Sequence, residues 1–282
     1  MMGKNIDLPH LLRSRLTMVA TLSALRAGHF LRKHFGDPIR FEPKQGRHNL
    51  VTEMDTQSEK MIIEMIQSHF PDHRFLAEEG GESGGTQEGL LWIIDPLDGT
   101  ANFVHHIPLF SVSIAATFQN EPLAAAVYCP MTEELFVAEK GNGAYLNGKR
   151  LKTTQTAVLD SALIATGTPY NMNENPLHCL ELFMNFARMG VPVRQMGSSA
   201  LDLSYLAAGR LDMFWEVNLH PWDYAAAKLL VEEAGGRLTD FSNNPVHLLE
   251  HGPILASNGI LHDQTVKHIQ ATLEKHRSDE VT

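Results

Sequence analysis

An apolar run that ends in two acids is the stretch of this sequence with the clearest chemical content. In LLWIIDPLDGTANF, residues 90–103, five apolar residues lead directly into Asp95, and a second acid follows at Asp98. No lysine or arginine lies within the stretch. Two carboxylates about 4 Å apart repel each other by roughly 4 kcal/mol at an effective dielectric constant of about 20. The pair therefore either points apart into water or holds a cation.

Further acids stand at the ends of other predicted elements. Glu78 and Glu79 follow the apolar residues FLA, Asp55 lies in TEMD, and Asp223 lies in the first turn of a predicted helix. Each has a simple structural alternative, since an acid in a first helical turn complements the helix dipole. Together, however, separate segments bring carboxylates to element ends with few basic residues. Mg²⁺ prefers such oxygen ligands and also binds oxygens of a substrate phosphate.

The residues after Asp98 offer the complementary half of such a site. Residues 99–102, GTAN, predict a glycine followed by a short helical turn. The backbone N–H groups at the start of a helix favour phosphate binding. Two metal ions on one phosphate would hold the attacking and leaving oxygens and lower the pKa of a bound water. The stretch therefore predicts a phosphate site in which cations separate the acids.

Three other motif matches are weak in their context. Residues 81–85, GESGG, fit the G-x-S-x-G pattern of serine hydrolases, but they lack the sharp strand-to-helix turn that this pattern needs. Residues 247–251, HLLEH, fit a zinc pattern, but flanking prolines and a glycine leave little room for a helix. DPLDGT resembles the D-x-D motif of haloacid-dehalogenase phosphatases, but its acids are three residues apart instead of two. None of the three is expected to carry the chemistry.

Apolar periodicity and turn residues predict the elements that must position these acids. Helices are predicted at residues 9–35, 52–69, 177–189, 198–208, 221–236 and 261–275. Strands are predicted at residues 75–79, 90–95, 111–118, 122–128, 134–140, 162–167, 191–196, 213–217 and 254–258, with a hairpin at 141–151 and a loop at 80–89. This order favours one layered α+β or α/β domain over residues 1–282. We expect two subdomains, a metal and phosphate half at about 1–150 and a substrate half at about 151–282.

Composition limits the possible functions. The 282 residues carry a formal net charge of −10 and two widely separated cysteines, Cys129 and Cys179. The acidic balance disfavours a general nucleic-acid binder, so no direct nucleic-acid site is expected. No apolar stretch is long enough to span a bilayer, and residues 1–16 show no signal-peptide pattern. We therefore expect a cytoplasmic protein with free thiols and no membrane partner.

Three blocks in order carry a resemblance to a known family: AEE at residues 77–79, WIIDPLDGTANF at 92–103 and PWDYAAAKLLVEEAGG at 221–236. With them the sequence resembles the inositol monophosphatase family, and most of all its bacterial SuhB-type members. Residues 50–55 and 197–216 also fit, so that the match covers nearly the whole chain. The resemblance implies an αβαβα sandwich of the sugar-phosphatase type, usually a homodimer, with a magnesium-dependent and lithium-sensitive hydrolase activity.

The resemblance also implies a ligand set for two or three Mg²⁺ ions per site. The first ion would be held by Glu79, Asp95 and the backbone carbonyl of Leu97. The second would be held by Asp95, Asp98 and Asp223, and a third, weaker ion would lie near Glu79.

Catalytic and substrate-binding roles are implied in the same way. Thr100, hydrogen-bonded to Asp55, would orient and deprotonate the attacking water, and Glu79 would be the third catalytic residue. The implied phosphate and substrate contacts are Gly99, Thr100, Asp98, Ala200, Glu216, His220 and Asp223.

The implied reaction is hydrolysis of inositol 1-phosphate by a metal-activated water. The metal motif leaves open other small phosphomonoesters, namely fructose 1,6-bisphosphate, histidinol phosphate or a 3′-phosphonucleotide. The match of residues 197–220 favours inositol phosphate, because few basic residues beyond Arg194 and Arg210 stand in this region for a second phosphate. SuhB-type members are also associated with transcription complexes, so a protein partner of that kind is the alternative from a different functional class.

Overall fold

A computed structural model describes residues 10–38, 41–43, 50–85 and 89–279 of the chain. Its helices are α1 (His10–His34), α2 (Glu53–His69), α3 (Thr100–Val104), α4 (Cys179–Arg188), α5 (Ser199–Ala207), α6 (Pro221–Glu233) and α7 (His262–Asp279). The six helices expected from periodicity are confirmed, and α3 is the short turn expected after Asp98. The predicted helix start at residue 9 and part of the predicted loop, 86–88, lie outside the described residues.

The strands fall into one hairpin and two sheets. They are β1 (Phe41–Pro43), β2 (Leu50–Thr52), β3 (Arg74–Ala77), β4 (Gly81–Gly84), β5 (Leu90–Asp98), β6 (Ser111–Phe118), β7 (Glu121–Cys129), β8 (Glu134–Glu139), β9 (Gly143–Leu146), β10 (Lys149–Arg150), β11 (Ile164–Thr166), β12 (Val193–Arg194), β13 (Met213–Leu219), β14 (Arg237–Thr239) and β15 (Gly252–Ser257). The eight-stranded sheet has the order β10-β9-β8-β7-β6-β5-β3-β4, and the five-stranded sheet has the order β12-β11-β13-β15-β14.

Alternation of side chains along the strands produces three apolar cores. In β5, Trp92 and Ile94 pack in the core that includes α1 and α2, whereas Ile93 points to the core that contains α5 and α6. In β13, Phe214 faces this same middle core, whereas Trp215 faces the core that includes α4 and α7. The layers therefore follow as helices, eight-stranded sheet, helices, five-stranded sheet and helices. This confirms the expected αβαβα architecture.

The sequence patterns did not predict some of the short strands. Residues 81–84 form β4 rather than part of a loop, pairing antiparallel with β3 at the edge of the large sheet. Their glycine-rich sequence shows no alternation, so backbone pairing alone makes them a strand. Strands β1, β2 and β14 have three residues each, which is too short for a period-two pattern. The division near residue 150 separates the strands of the two sheets, but α5 and α6 pack against both, so the two subdomains remain a prediction.

Among the described residues, no helix combines the length and apolar character that crossing a bilayer requires.

Candidate active site

A bulge at the end of β5 brings Asp95 and Asp98 to the same face of the sheet. Asp95 lies opposite Ser113 and Asp98 lies opposite Ser111, so β5 holds one extra residue between its two acids. Residues three apart in a regular strand point to opposite faces, and the extra residue removes that difference. Asp95 is only 2% exposed and Asp98 only 8%. The two acids therefore end in the buried region beside α5 and α6 instead of splaying into water.

The neighbouring strand adds a third carboxylate at this edge. Strand β3 runs parallel to β5 with Ala77 beside Ile94, and the backbone N–H of Glu78 continues the ladder to the Ile94 carbonyl at 3.1 Å. Partners in parallel register point to the same face, so Glu78 lies beside Asp95. Burial is the largest cause that raises the pKa of Asp95, and the charge of Glu78 is the next.

Glu78, which was not an expected ligand, is the glutamate whose charge acts on Asp95, and the expected role of Glu79 stays a prediction. Glu79 follows in the turn after β3, where its backbone N–H donates to Oε2 of Glu59, a residue of α2, at 2.9 Å. Leu76, two residues before Glu78, packs against the middle core, which is the side that Asp95 occupies. The alternation of FLAEE could have identified Glu78 from the sequence, because its side chain shares a face with Leu76.

Asp223 reaches the same place from α6. Its carboxylate Oδ2 accepts the backbone N–H of His220 at 2.7 Å, which forms a capping box at the start of the helix. Asp223 therefore does have the structural role considered above, at the start of a helix. It also has a second role. After burial, the charges of Glu78 and Asp98 raise the pKa of Asp223 well above its ordinary value. One carboxylate caps α6 and also belongs to the acidic cluster.

The cluster formed by Glu78, Asp95, Asp98 and Asp223 is electrostatically unfavourable by itself. Burial and the neighbouring carboxylates raise the pKa of Asp95 well above its ordinary value. Burial raises the pKa of Asp98 to about 6 despite hydrogen bonds from Ser198 and from the Ala200 amide. The leading charges that act on Asp95 and Asp223 are all negative. A bound cation would relieve this repulsion.

The donor set fits a hard divalent cation. One oxygen of each aspartate is bonded to the protein, since Asp95 Oδ1 accepts the Leu97 N–H and Asp98 Oδ2 accepts the Ala200 N–H. In the described parts of the chain, no group of three or more His, Cys, Asp or Glu side chains is arranged so that it could hold a metal ion without moving. Each carboxylate has a second oxygen, and carboxylate oxygens are the ligands that Mg²⁺ prefers. Binding would turn these oxygens toward a common centre.

Thr100 and Asp55 form a hydrogen-bonded pair at the start of α3. Gly99 precedes this helix with a φ of 94°, a conformation that favours glycine. Thr100 Oγ1 then lies 2.9 Å from Asp55 Oδ1 and 3.0 Å from the carbonyl oxygen of Leu97. Asp55 is fully buried, and its Oδ2 accepts the backbone N–H of Thr52 at 2.8 Å. Burial raises the pKa of Asp55 to about 6 against these bonds.

Replacing Thr100 by alanine is expected to lower the turnover number about 100-fold, because the hydroxyl that the family resemblance implies as the proton acceptor for the attacking water is lost. Thr100→Ser keeps the hydroxyl and is expected to stay within about threefold of the wild type. Turnover of the wild type should fall as the pH drops below about 6, where Asp55 becomes protonated. Phosphate-release rates of the three proteins over a pH series measure these effects. An alanine variant as active as the serine variant would contradict the role of Thr100.

The expected substrate contacts have different surroundings. Glu216 is 8% exposed and its Oε2 accepts the Ser199 hydroxyl at 3.0 Å, while burial raises its pKa to about 7. Ala200 is fully buried and its amide is already bonded to Asp98, so the structure does not bring it to an open substrate position. His220 is exposed and its ring stacks on Trp222 at 4.8 Å between centroids. Glu216 and His220 therefore remain candidates, whereas Ala200 helps to orient Asp98.

Glu216 is positioned by a close contact with Gly167 that the sequence does not indicate. A Cβ atom added to Gly167 would lie 2.3 Å from Glu216 Oε2, so this glycine leaves the space that the carboxylate fills. Gly167 follows β11, and β11 lies next to β13, which carries Glu216. Nothing near Gly167 in the sequence indicates this non-local contact.

The weak motif matches do not converge on a site. Gly81–Gly84 form the edge strand β4 with mostly exposed residues, not a strand-to-helix turn. Within residues 247–251, His247 lies 3.9 Å from Glu250, while His251 bonds to Asn218. Both observations agree with the expectation that neither motif carries chemistry.

A layered αβαβα protein with buried acids at a strand end, beside a short helix, has the form of a phosphatase that uses hard metal ions. The sequence profile described as the inositol monophosphatase family matches residues 12–274, and the chain belongs to this family. Members hydrolyse phosphate monoesters with metal ions, so this protein is a metal-dependent phosphatase.

Relatives in this family carry different names. The chain is 39% identical over 262 residues to the protein named Nus factor SuhB from Escherichia coli (strain K12), covering 93% of this chain and 96% of that protein. It is 37% identical over 250 residues to the fructose-1,6-bisphosphatase/inositol-1-monophosphatase of Thermotoga maritima, covering 89% and 94%. The crystal structure of the extragenic suppressor protein suhB from Bartonella henselae superposes with a TM-score of 0.84 at 36% identity, covering 93% and 99%. The SuhB-like character expected from the sequence is confirmed.

Proposed function

We propose that this protein hydrolyses inositol 1-phosphate to inositol and phosphate in a reaction that depends on Mg²⁺. The observation that carries the proposal is the acidic cluster of Glu78, Asp95, Asp98 and Asp223. These carboxylates come from three separate elements, and the leading charges that act on Asp95 and Asp223 are negative. The start of α3, a natural position for phosphate, follows Asp98 directly.

The cluster and the carbonyl of Leu97 would hold two or three Mg²⁺ ions. When bound, these ions would supply Lewis acidity at the phosphate and acidify a water molecule. The backbone N–H groups at Gly99 and Thr100 would orient the phosphate. The water would donate to Thr100 Oγ1, whose own proton points at Asp55 Oδ1. Asp55 would accept that proton, because burial already raises its pKa to about 6.

The proposed substrate preference is supported by Glu216, the candidate acceptor for a substrate hydroxyl. Glu216 is a buried carboxylate held by Ser199, which suits the recognition of a substrate hydroxyl and disfavours a second phosphate nearby. This favours a neutral polyol such as inositol. Fructose 1,6-bisphosphate stays an alternative because a relative is named for both activities. Histidinol phosphate and 3′-phosphonucleotides share the same phosphate chemistry.

Phosphate release from these four esters, with and without Mg²⁺ and with Li⁺ added, tests the proposal. We expect Mg²⁺-dependent, Li⁺-inhibited turnover that is strongest on inositol 1-phosphate. Preference for another ester would keep the metal site and overturn the substrate. Absence of turnover on all four, in a folded protein that binds Mg²⁺, would contradict the proposed reaction.

A protein-binding role is the second candidate, favoured by relatives named Nus factor SuhB. We propose that such a role would involve a transcription complex and would not need the acidic cluster. A strain that lacks this protein distinguishes the two roles. If the inactive Asp95→Asn variant restores its growth, contacts with a partner and not phosphate hydrolysis account for the phenotype. We also propose a cytoplasmic homodimer, and light scattering of the purified protein tests the homodimer.

A further inference from the structure

The segment that follows β11 begins beside Glu216, the candidate acceptor for a substrate hydroxyl. Thr166 lies beside Trp215 in the parallel pair of β11 and β13. The next residue, Gly167, therefore lies beside Glu216, and its backbone approaches the carboxylate so closely that a Cβ atom would collide with it. The chain that continues from Gly167 thus starts at the candidate hydroxyl acceptor.

Tyr170 lies three residues further along this segment. Three residues span at most about 11 Å, so Tyr170 cannot lie far from Glu216. Its side chain is 59% exposed, which is unusual for an aromatic residue of this size. The ring therefore offers an open face to a ligand.

The electrostatic surroundings of Tyr170 point to the same location. Burial raises the pKa of Tyr170, and so do the negative charges of four carboxylates. In order of decreasing effect these are Glu78, Asp223, Asp98 and Asp95. They are the members of the acidic cluster, which come from β3, α6 and β5. Together with the contact of Gly167 with Glu216, this places Tyr170 near the acidic cluster, with its side chain partly buried and partly exposed.

An aromatic side chain at this place has two means of recognising an alcohol. Its ring packs well against the C–H groups of a cyclic polyol, and the contact removes apolar surface from water. Its hydroxyl is both a donor and an acceptor for a substrate hydroxyl. A short acyclic alcohol offers neither the flat face nor the array of hydroxyls. The residue can therefore distinguish esters by their alcohol part, while the acids handle the phosphate they all share.

We propose that Tyr170 contacts the alcohol part of the substrate and selects esters of polyhydroxylated rings over esters of short acyclic alcohols. This inference depends on the proposed phosphatase function and names a specificity determinant for it. The short chain distance of Tyr170 from the Gly167–Glu216 contact, and its exposed side chain, carry the inference. No role in the proton transfer is assigned to the residue.

Two variants separate the ring from the hydroxyl. Tyr170→Ala is expected to lower kcat/KM for inositol 1-phosphate about 30-fold, mainly by raising KM, because a packed ring and a hydrogen bond are lost. Tyr170→Phe keeps the ring and is expected to lose about three- to tenfold. Glycerol 2-phosphate, an acyclic ester, should change by less than about threefold in both variants. Met184→Ala, at an exposed position on α4, is the matched surface control.

Comparing the kinetic losses on the two esters distinguishes a role of Tyr170 in specificity from a purely structural role. An equal loss on inositol 1-phosphate and glycerol 2-phosphate would show a structural role of Tyr170 and overturn the inference. Unchanged kinetics of Tyr170→Ala on the ring ester, with an active wild type, would overturn it as well and leave the proposed function intact. A wild type that hydrolyses neither ester would contradict both. Unchanged thermal midpoints of the variants would show that the fold is preserved.

Discussion

Replacing Asp95 by asparagine is expected to abolish phosphate release and, at the same time, to stabilise the protein in buffer without divalent cations. We expect a loss of at least about 1000-fold in turnover, because several kcal/mol of charge stabilisation in the transition state depend on the metal site. We also expect the thermal midpoint to rise by a few degrees, which corresponds to roughly 1 to 2 kcal/mol for a chain of this size.

The expected loss of turnover and the expected gain in stability have one physical cause. Asp95 is buried beside other carboxylates, and both effects raise its pKa well above the value of the unfolded chain. Between these two pKa values the folded state binds a proton that the unfolded state has lost. Stability is therefore greatest at low pH and falls as the pH rises toward the raised pKa. Asparagine removes this ionisation, so the gain in stability should be larger at pH 8 than at pH 5.

Thermal unfolding with and without Mg²⁺, at these two pH values, tests the prediction. The wild type should gain stability from millimolar Mg²⁺ by mass action, and Asp95→Asn should gain much less. Asp37→Asn is the matched control, since Asp37 is exposed at the end of α1 and should change neither quantity. Destabilisation by Asp95→Asn in metal-free buffer would contradict the view that uncompensated repulsion dominates at this site.

The second large effect concerns two adjacent glutamates. Glu78→Gln is expected to lower turnover about 1000-fold, because it removes a carboxylate that lies beside Asp95 and belongs to the proposed metal site. Glu79→Gln is expected to stay within about tenfold of the wild type, because Glu78 and not Glu79 is among the leading charges that act on Asp95 and Asp223. The two substitutions change the same type of residue at neighbouring positions.

Phosphate-release rates of both variants over a Mg²⁺ titration measure the difference. Glu78→Gln should also require more Mg²⁺ for half-maximal rate, whereas Glu79→Gln should follow the wild-type curve. A larger loss of turnover in Glu79→Gln than in Glu78→Gln would show that Glu79 is the metal ligand, as the family resemblance implies. Equal large losses would mean that both carboxylates belong to the metal site.

The local properties of the chain were readable from the sequence because they depend on short-range patterns. The apolar run of β5, the helix starts and the α6 capping position follow from periodicity and from residue types near each end. The short strands β1, β2, β4 and β14 were not predicted, because three or four residues are too few to show a period-two pattern or, in β4, the glycine-rich sequence shows no alternation.

The sequence by itself therefore determined which elements exist and that three of them end in carboxylates, and its resemblance indicated the family. Only the tertiary structure decided that Glu78 lies beside Asp95, that the Ala200 amide is used to hold Asp98, and that Tyr170 lies near the acidic cluster. These facts depend on strand register and on the packing of α5 and β11 against distant segments. Such contacts join residues up to 102 positions apart, as in the Ala200–Asp98 bond, and no local pattern encodes them.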